Sequence, residues 1–189
     1  LNQPDLLERL NKGDTTVFSE IVESCKDMVY NTVLGIVHNE EDAEDVTQEV
    51  FIKVYESIGK FREESALSTW IYRIAVTKSL DFLKNKKRQK NGGLLKRIFE
   101  PAREEEPANF NHPGIVLDKK EDAAVLFKAL NQLPVKQKIA FILHKLEALN
   151  SQEVADIMKI SLMAVESLQT RAKNNLKEIL KDYYQQHFK

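Results

Sequence analysis

The sequence has a single cysteine, Cys25, so no disulfide can close within the chain, and its place in an apolar helical pattern reads as a buried, inert thiol. Apolar runs are short. None approaches the roughly 18 to 20 residues that span a bilayer. The N-terminus lacks a basic segment followed by an apolar one, so neither membrane insertion nor a leader is expected, and the chain is expected in the cytoplasm. It opens on Leu1, so an initiating methionine and a few residues are expected ahead of it. Net charge is nearly nil: 28 Lys and Arg against 29 Asp and Glu leave −1, so any nucleic-acid footprint has to come from how charge is distributed. His38, His112, His144 and His187 stand singly, without the Glu-x-x-His pairs of a carboxylate-bridged metal bundle. No phosphate loop or nucleophile constellation appears either. No catalytic residue, metal or cofactor is therefore expected.

What is present is enough apolar residue, 42% of 189, for ordinary globular cores in one large domain or two small ones. Periodicity is helical throughout. Asp5 to Leu10 reads as a short helix, and Asp14 can cap a longer one that runs to about His38 on Val17, Ile21, Cys25, Val29 and Val33. Asn39 can cap the next, whose opening turns crowd Glu40, Glu41, Asp42, Glu44 and Asp45 where the helix dipole favours anions. Off its apolar face, Asp45, Gln48 and Glu49 form an acidic ridge. Such a ridge is either a solvated helix start or a docking surface for a basic partner.

Gly59 to Ser68 breaks the periodicity and reads as a loop leading to a cap at Ser65 or Ser68. The helix that follows carries Trp70, Ile71, Ile74, Ala75, Leu80 and Leu83 inward and leaves Tyr72, Arg73, Thr77, Lys78, Asp81 and Lys84 for the other side. It ends in Lys84, Lys86, Lys87, Arg88 and Lys90. Cations suit a helix C-terminus by themselves. Their density beside Arg73, Lys78 and Tyr72 also fits a basic face with aromatic interleaving, as single-stranded nucleic acid requires. Trp70 fits the apolar face, so core packing is favoured over base stacking.

Residues 91–114 hold Gly92, Gly93, Pro101, Pro107, Pro113 and the acidic Glu104 to Glu106, a linker composition that divides two helical domains, 1–90 and 115–189. A free linker permits many relative placements. The second domain opens near Ile115 with Val116 and Leu117, Pro134 starts its next helix, and Asn150 to Leu180 forms two further amphipathic helices. Asn150 or Ser151 can cap the first with Glu153 as capping-box partner, and Ser161 can cap the second. Its stripe is Leu162, Val165, Leu168, Ala172, Leu176, Ile179 and Leu180. Joined by about three residues, the two read as a helix-turn-helix or as a hairpin that only packs on a neighbour. The turn has Lys159 where glycine is often found. The face opposite the stripe offers Met163, Glu166, Ser167, Thr170, Arg171, Lys173 and Asn174, placed as major-groove readers are placed.

The patterns AED-x-x-QE-x-F and STW-x-Y-R-IA within Ala43 to Arg88 closely resemble the region-2 domain of extracytoplasmic-function (ECF) sigma factors of the sigma-70 superfamily, and Leu133 to Leu180 resembles their region 4. The resemblance implies an all-α protein, a region-2 bundle and a four-helix region-4 helix-turn-helix domain on a flexible linker, serving as a dissociable specificity subunit of bacterial RNA polymerase. It implies that Asp45, Gln48 and Glu49 dock on the clamp helices of the largest core subunit. It assigns Phe61, Arg62, Ser65, Ser68, Arg73, Thr77, Lys84, Lys87 and Arg88 to the start-proximal promoter strand, and Glu166, Ser167, Thr170, Arg171 and Lys173 to the upstream element. An anti-sigma factor clamping both domains is a further expectation, although no residue identifies one. Thr77 stands where many relatives carry Asn, Ala148 and Lys159 replace glycines, and Glu166 and Leu168 replace cations. Glu166 can accept from cytosine N4 or orient Arg171, and the second is preferred. Two rivals remain from the residues alone: a stand-alone helix-turn-helix regulator that binds duplex DNA without polymerase, and a metal enzyme, which the scattered histidines disfavour.

Overall fold

The computed structural model describes residues 16–61, 65–92 and 120–187, together with residues 5, 6, 8, 9, 12 and 14. Arg62, the acidic stretch Glu104 to Glu106, Val116 and Leu117 lie outside the described residues. Helix α1 (Thr16–Val37) is followed by α2 (Glu40–Ser57), a 3-10 turn (Ile58–Lys60) and α3 (Leu67–Gly92). Then come α4 (Lys120–Asn131), α5 (Val135–Phe141) running into a π turn (Ile142–Leu146), α6 (Ser151–Met158), α7 (Leu162–Ile179) and α8 (Lys181–His187). Among the described residues there is no strand.

The first domain is a bundle of α1, α2 and α3, each packed on the other two. Ahead of it, the backbone N–H of Thr16 donates to the Asp14 carboxylate at 2.9 Å, the capping role expected of Asp14. The stripe foreseen on α1 is buried as drawn, from Val17 through Val33, and meets Val46, Val50 and Val54 of α2 and Ile71 and Ala75 of α3. Asn39 caps α2 by accepting from the Asp42 N–H at 2.8 Å. Such a cap is worth about 1 kcal/mol. Helix α3 begins at Leu67, so Ser68 lies inside its first turn and not in the loop ahead of it.

The second domain is built on α5 and its π turn, whose Ile139, Ala140, Ile142, Leu143 and Leu146 are buried against Val165, Ala172 and Leu176 of α7. Asn150 caps α6, accepting from the N–H groups of Gln152 and Glu153, while the Glu153 carboxylate accepts from the Asn150 N–H at 2.8 Å. The capping box is complete. Ser161 caps α7, accepting from the Ala164 N–H at 3.2 Å. Between the helices Lys159 adopts the left-handed conformation at φ 54°, and Ala148 does so at φ 55°. Both positions therefore have the backbone that glycine serves elsewhere.

Three placements differ from the sequence reading. Leu80 and Leu162 were expected inward and are 38% and 41% exposed, each at the margin of its stripe. Tyr72, expected on the outer face of α3, is only 5% exposed, as is Val76. The reason is a third packing surface on α3: α6 lies along it. Ile36, Tyr72 and Val76 of the first domain accordingly join the same apolar cluster as Leu130, Leu143 and Val154 of the second.

Candidate docking and nucleic-acid interfaces

Helix α2 sets its carboxylates by register. With Val46, Val50 and Val54 spaced four apart on the core, Asp45, Gln48 and Glu49 fall on the solvent side and are exposed. The same face carries Ile52 and Tyr55, 60% and 68% exposed, with Tyr55 edge-on to Phe18 at 5.0 Å between ring centres. The ridge thus ends in exposed apolar groups. An anionic row ending in bare aromatic and aliphatic groups suits a basic amphipathic helix better than bulk solvent does.

Helix α3 lies against α2, and its cations meet that ridge. Lys78 donates to Glu49 at 3.1 Å, and Lys86 to Asp42 at 2.7 Å. The Lys86 ammonium also lies 5.9 Å from the centre of the Phe82 ring. Glu49, Lys78, Asp81, Lys84 and Arg88 line one polar groove. Lys84, Lys87 and Arg88 are exposed.

Nearer its start, α3 presents Arg73 and Thr77 to a second cleft, whose other wall is Ile157, Met158 and Lys159 at the helix-turn-helix turn. The Thr77 hydroxyl donates to its own helix at the Arg73 carbonyl, 2.7 Å away. That back-bond occupies the donor Thr77 would bring to a base. Phe61 packs at 5.3 Å against Trp70, both half-buried, which agrees with a packing role for Trp70 and sets Phe61 at the edge of the core. Ser65 is half-buried and Ser68 exposed.

On α7, burial of Val165, Ala172 and Leu176 turns Glu166, Thr170, Arg171 and Lys173 to solvent, with Ser167 half-buried beside them. Met163, in the first turn, is 79% exposed. The helix is held against its neighbours by Gln169, which bonds Ser151 of α6 at 3.4 Å, and by Asn175, which donates to Gln137 of α5 at 2.8 Å. Polar ties at those two points fix the angle at which the outer face is offered. Among the described residues no cluster of three or more His, Cys, Asp or Glu could hold a metal ion. No helix among them is long and apolar enough to cross a membrane.

This arrangement, an acidic helix flank beside a cationic helix end with a solvent-facing helix-turn-helix, coincides with two family models. Sigma-70 region 2 matches residues 21–89, and Sigma-70 region 4 matches residues 124–176. The ECF RNA polymerase sigma-E factor of Escherichia coli strain K12 is 31% identical over 182 residues, 89% of this chain and 88% of that protein. The chain belongs to the ECF sigma factor family. The RNA polymerase sigma-H factor of Pseudomonas aeruginosa is 28% identical over 177 residues, covering 93% of this chain and 92% of the relative. Two solved structures share the fold. One is the sigma factor RpoE of Bartonella quintana, solved with the anti-sigma factor NepR, at TM-score 0.70 and 21% identity over 87% of this chain and 96% of that one. The other is CnrH, solved with the cytosolic domain of CnrY, at TM-score 0.67 and 18% identity over 94% and 96%. As an ECF sigma factor, the protein serves promoter-specific initiation of transcription with RNA polymerase.

Several residues of interest escaped the sequence reading. Lys138 sits in the apolar stripe of α5 and is 3% exposed. Gly35 and His38 occupy the end of α1 where the second domain touches it. A lysine directly before the apolar pair Ile139 and Ala140, and a glycine inside an apolar helical run, were the available signals.

Proposed function

We propose that the exposed ridge of Asp45, Gln48 and Glu49 docks on the clamp helices of the largest polymerase subunit, with Ile52 and Tyr55 supplying its apolar contact. The segment from Phe61 to Thr69 and helix α3 receive and unstack bases of the start-proximal element. Phe61, Arg62, Ser65 and Ser68 are assigned to the unstacked bases, and Arg73, Thr77, Lys84, Lys87 and Arg88 to the strand that follows. Helix α7 reads the upstream element as duplex through Glu166, Ser167, Thr170, Arg171 and Lys173. Residues 1–90 and 115–189 are the working halves, and 91–114 joins them.

The observation that carries this reading is the sorting of charge by helix: carboxylates on the free flank of α2, cations along the free end of α3, and both lining one groove at Glu49, Lys84 and Arg88. Flipping a base from the stack costs a few kcal/mol. Neutralised phosphates and stacking surfaces can offset it, and base contacts add sequence preference that phosphate contacts lack. The protein performs no covalent step in this scheme. Joining two weak contacts through one chain and one polymerase raises the effective concentration of the second. An anti-sigma factor as inhibitor is proposed by analogy with the NepR-bound relative.

The test is transcription. Purified protein is added to core polymerase and a genomic promoter library, and transcripts are mapped from their starts. Initiation from a restricted set of promoters is expected. Duplex binding without core and without initiation would instead favour a stand-alone helix-turn-helix regulator.

A further inference from the structure

The outer face of α7 changes character partway along. From Ser161 to Thr170 there is no Lys, Arg or His, and the cations Arg171, Lys173 and Lys177 all come after. Those later residues are exposed and suited to phosphates. The first turns are not. Whatever they add to duplex binding has to come from base edges.

Side chains three or four positions apart share a helix face, and on that rule Met163, Glu166 and Thr170 form one exposed row. Glu166 has no cation to serve in it. Arg171 lies five positions on, about 140° around the axis at 3.6 residues per turn, and no side-chain bond joins either residue to another described residue. Orienting Arg171 therefore has no contact behind it. A carboxylate without a cation is repelled by phosphates, so on a DNA-facing row it is costly unless a base donor meets it.

The major groove narrows the choice. Its base donors are the amino groups of cytosine N4 and adenine N6, and adenine sets its N7 acceptor beside N6. An ionised carboxylate only accepts, so it suits cytosine and is repelled by adenine N7. Met163, 79% exposed in the first turn, has no proton to donate, and the apolar group that base edges offer it is the C5 methyl of thymine. Its flexible thioether adapts to an irregular surface. Three helical residues rise about 4.5 Å and one base step about 3.4 Å, so the two side chains address neighbouring base pairs.

We propose that the first turns of α7 select a thymine and a cytosine in neighbouring base pairs of the upstream element, Met163 packing on the thymine methyl and Glu166 accepting from the cytosine amino group. The proposal rests on the assignment of α7 to that element made above, and it names the bases chosen. Selection by Glu166 works partly by exclusion. At a pair with no donor in reach, its charge is left against acceptors and phosphates.

Holoenzyme assembled from the full chain and core polymerase is offered promoters with a randomised upstream element, and the bound sequences are read. They should contain a thymine and a cytosine in neighbouring pairs; a selected element without them overturns the proposal. Deoxyuridine in place of that thymine removes only the methyl. It should weaken promoter binding about threefold to fivefold for the unmutated chain and leave binding by Met163→Ala unchanged. Replacing the cytosine should weaken binding about tenfold or more, and Glu166→Ala should erase that preference while binding the replaced promoters no worse than the unmutated chain does. Glu166→Gln should move the preference to adenine, whose N6 and N7 an amide matches. Both positions are exposed, and circular dichroism checks that each variant folds. Deoxyuridine tolerated at every thymine overturns the methyl contact, and Glu166→Ala weakening all sequences alike overturns the carboxylate contact. Thr170→Ala and Arg171→Ala then separate the two claims. If they change the selected element, α7 stays the reader and only the roles of Met163 and Glu166 fall; if no variant on α7 changes it, the reading of α7 falls as well.

Discussion

Lys78 of α3 donates to Glu49 of α2 at 3.1 Å, so a carboxylate proposed to face the polymerase is bonded to the helix proposed to face the template. Exposed pairs of this kind contribute about 0 to 1 kcal/mol. Glu49→Ala should therefore leave the thermal midpoint nearly unchanged while lowering affinity for core polymerase several-fold. Equilibrium binding to core and a thermal melt of the same preparation check both halves. A melt lowered in step with affinity would make Glu49 a packing residue.

Lys159 and Ala148 hold left-handed backbone at φ 54° and 55°. A residue with a Cβ is strained there by roughly 1 kcal/mol, part of which glycine would return as chain entropy. Lys159→Gly and Ala148→Gly are each expected to stabilise the protein by about 0.5 kcal/mol, read as a higher urea midpoint at unchanged slope. A lower midpoint for either would show that the lysine or alanine side chain contributes packing that outweighs the backbone cost.

Local structure was largely written in the residues. Asn39, Asn150 and Ser161 cap the helices they precede, and the stripe of α1 is buried where its period sets it. Each of those features depends on neighbours three or four positions away. Tyr72 and Lys138 were misjudged or overlooked because their surroundings come from 75 and 102 residues away in the chain. No period in a single helix announces a second domain seated on it. The proposed site residues were legible as exposed, charged positions, yet Lys78–Glu49 and Arg73–Asp156 were not, since pairing between helices depends on their crossing and not on their sequence.

Half-buried His38 and buried Lys138 are expected to make stability depend on pH. Burial, with the charge of Lys138 adding to it, pushes His38 from 6.5 down to about 3, and burial pushes Lys138 from 10.5 down to about 8. Both bind fewer protons folded than unfolded, so stability rises with pH across roughly 3 to 6.5 and again across roughly 8 to 10.5. Lowering pH from 7 to 5 should lower the thermal midpoint. His38→Asn, which keeps a residue tolerant of the left-handed backbone, should lower it less. Equal losses in the two proteins would remove His38 as the cause.

Lys84, Lys87 and Arg88 lie exposed on the last turns of α3. If they neutralise strand phosphates, each alanine replacement should weaken open-complex formation at all promoters alike and reduce the slope of log affinity against log salt by about 0.7. Promoter binding by holoenzyme over a range of salt measures this. An effect confined to particular sequences would make them base readers.

The division of labour between α2 and α3 is tested most directly by core affinity of two triple variants, compared with the unmutated chain in moderate salt. Asp45→Ala with Gln48→Ala and Glu49→Ala should lose affinity about tenfold or more, equivalent to at least about 1.4 kcal/mol. Lys84→Ala with Lys87→Ala and Arg88→Ala should bind core as the unmutated chain does and lose promoter opening. Unchanged core affinity in the first triple variant would contradict the account.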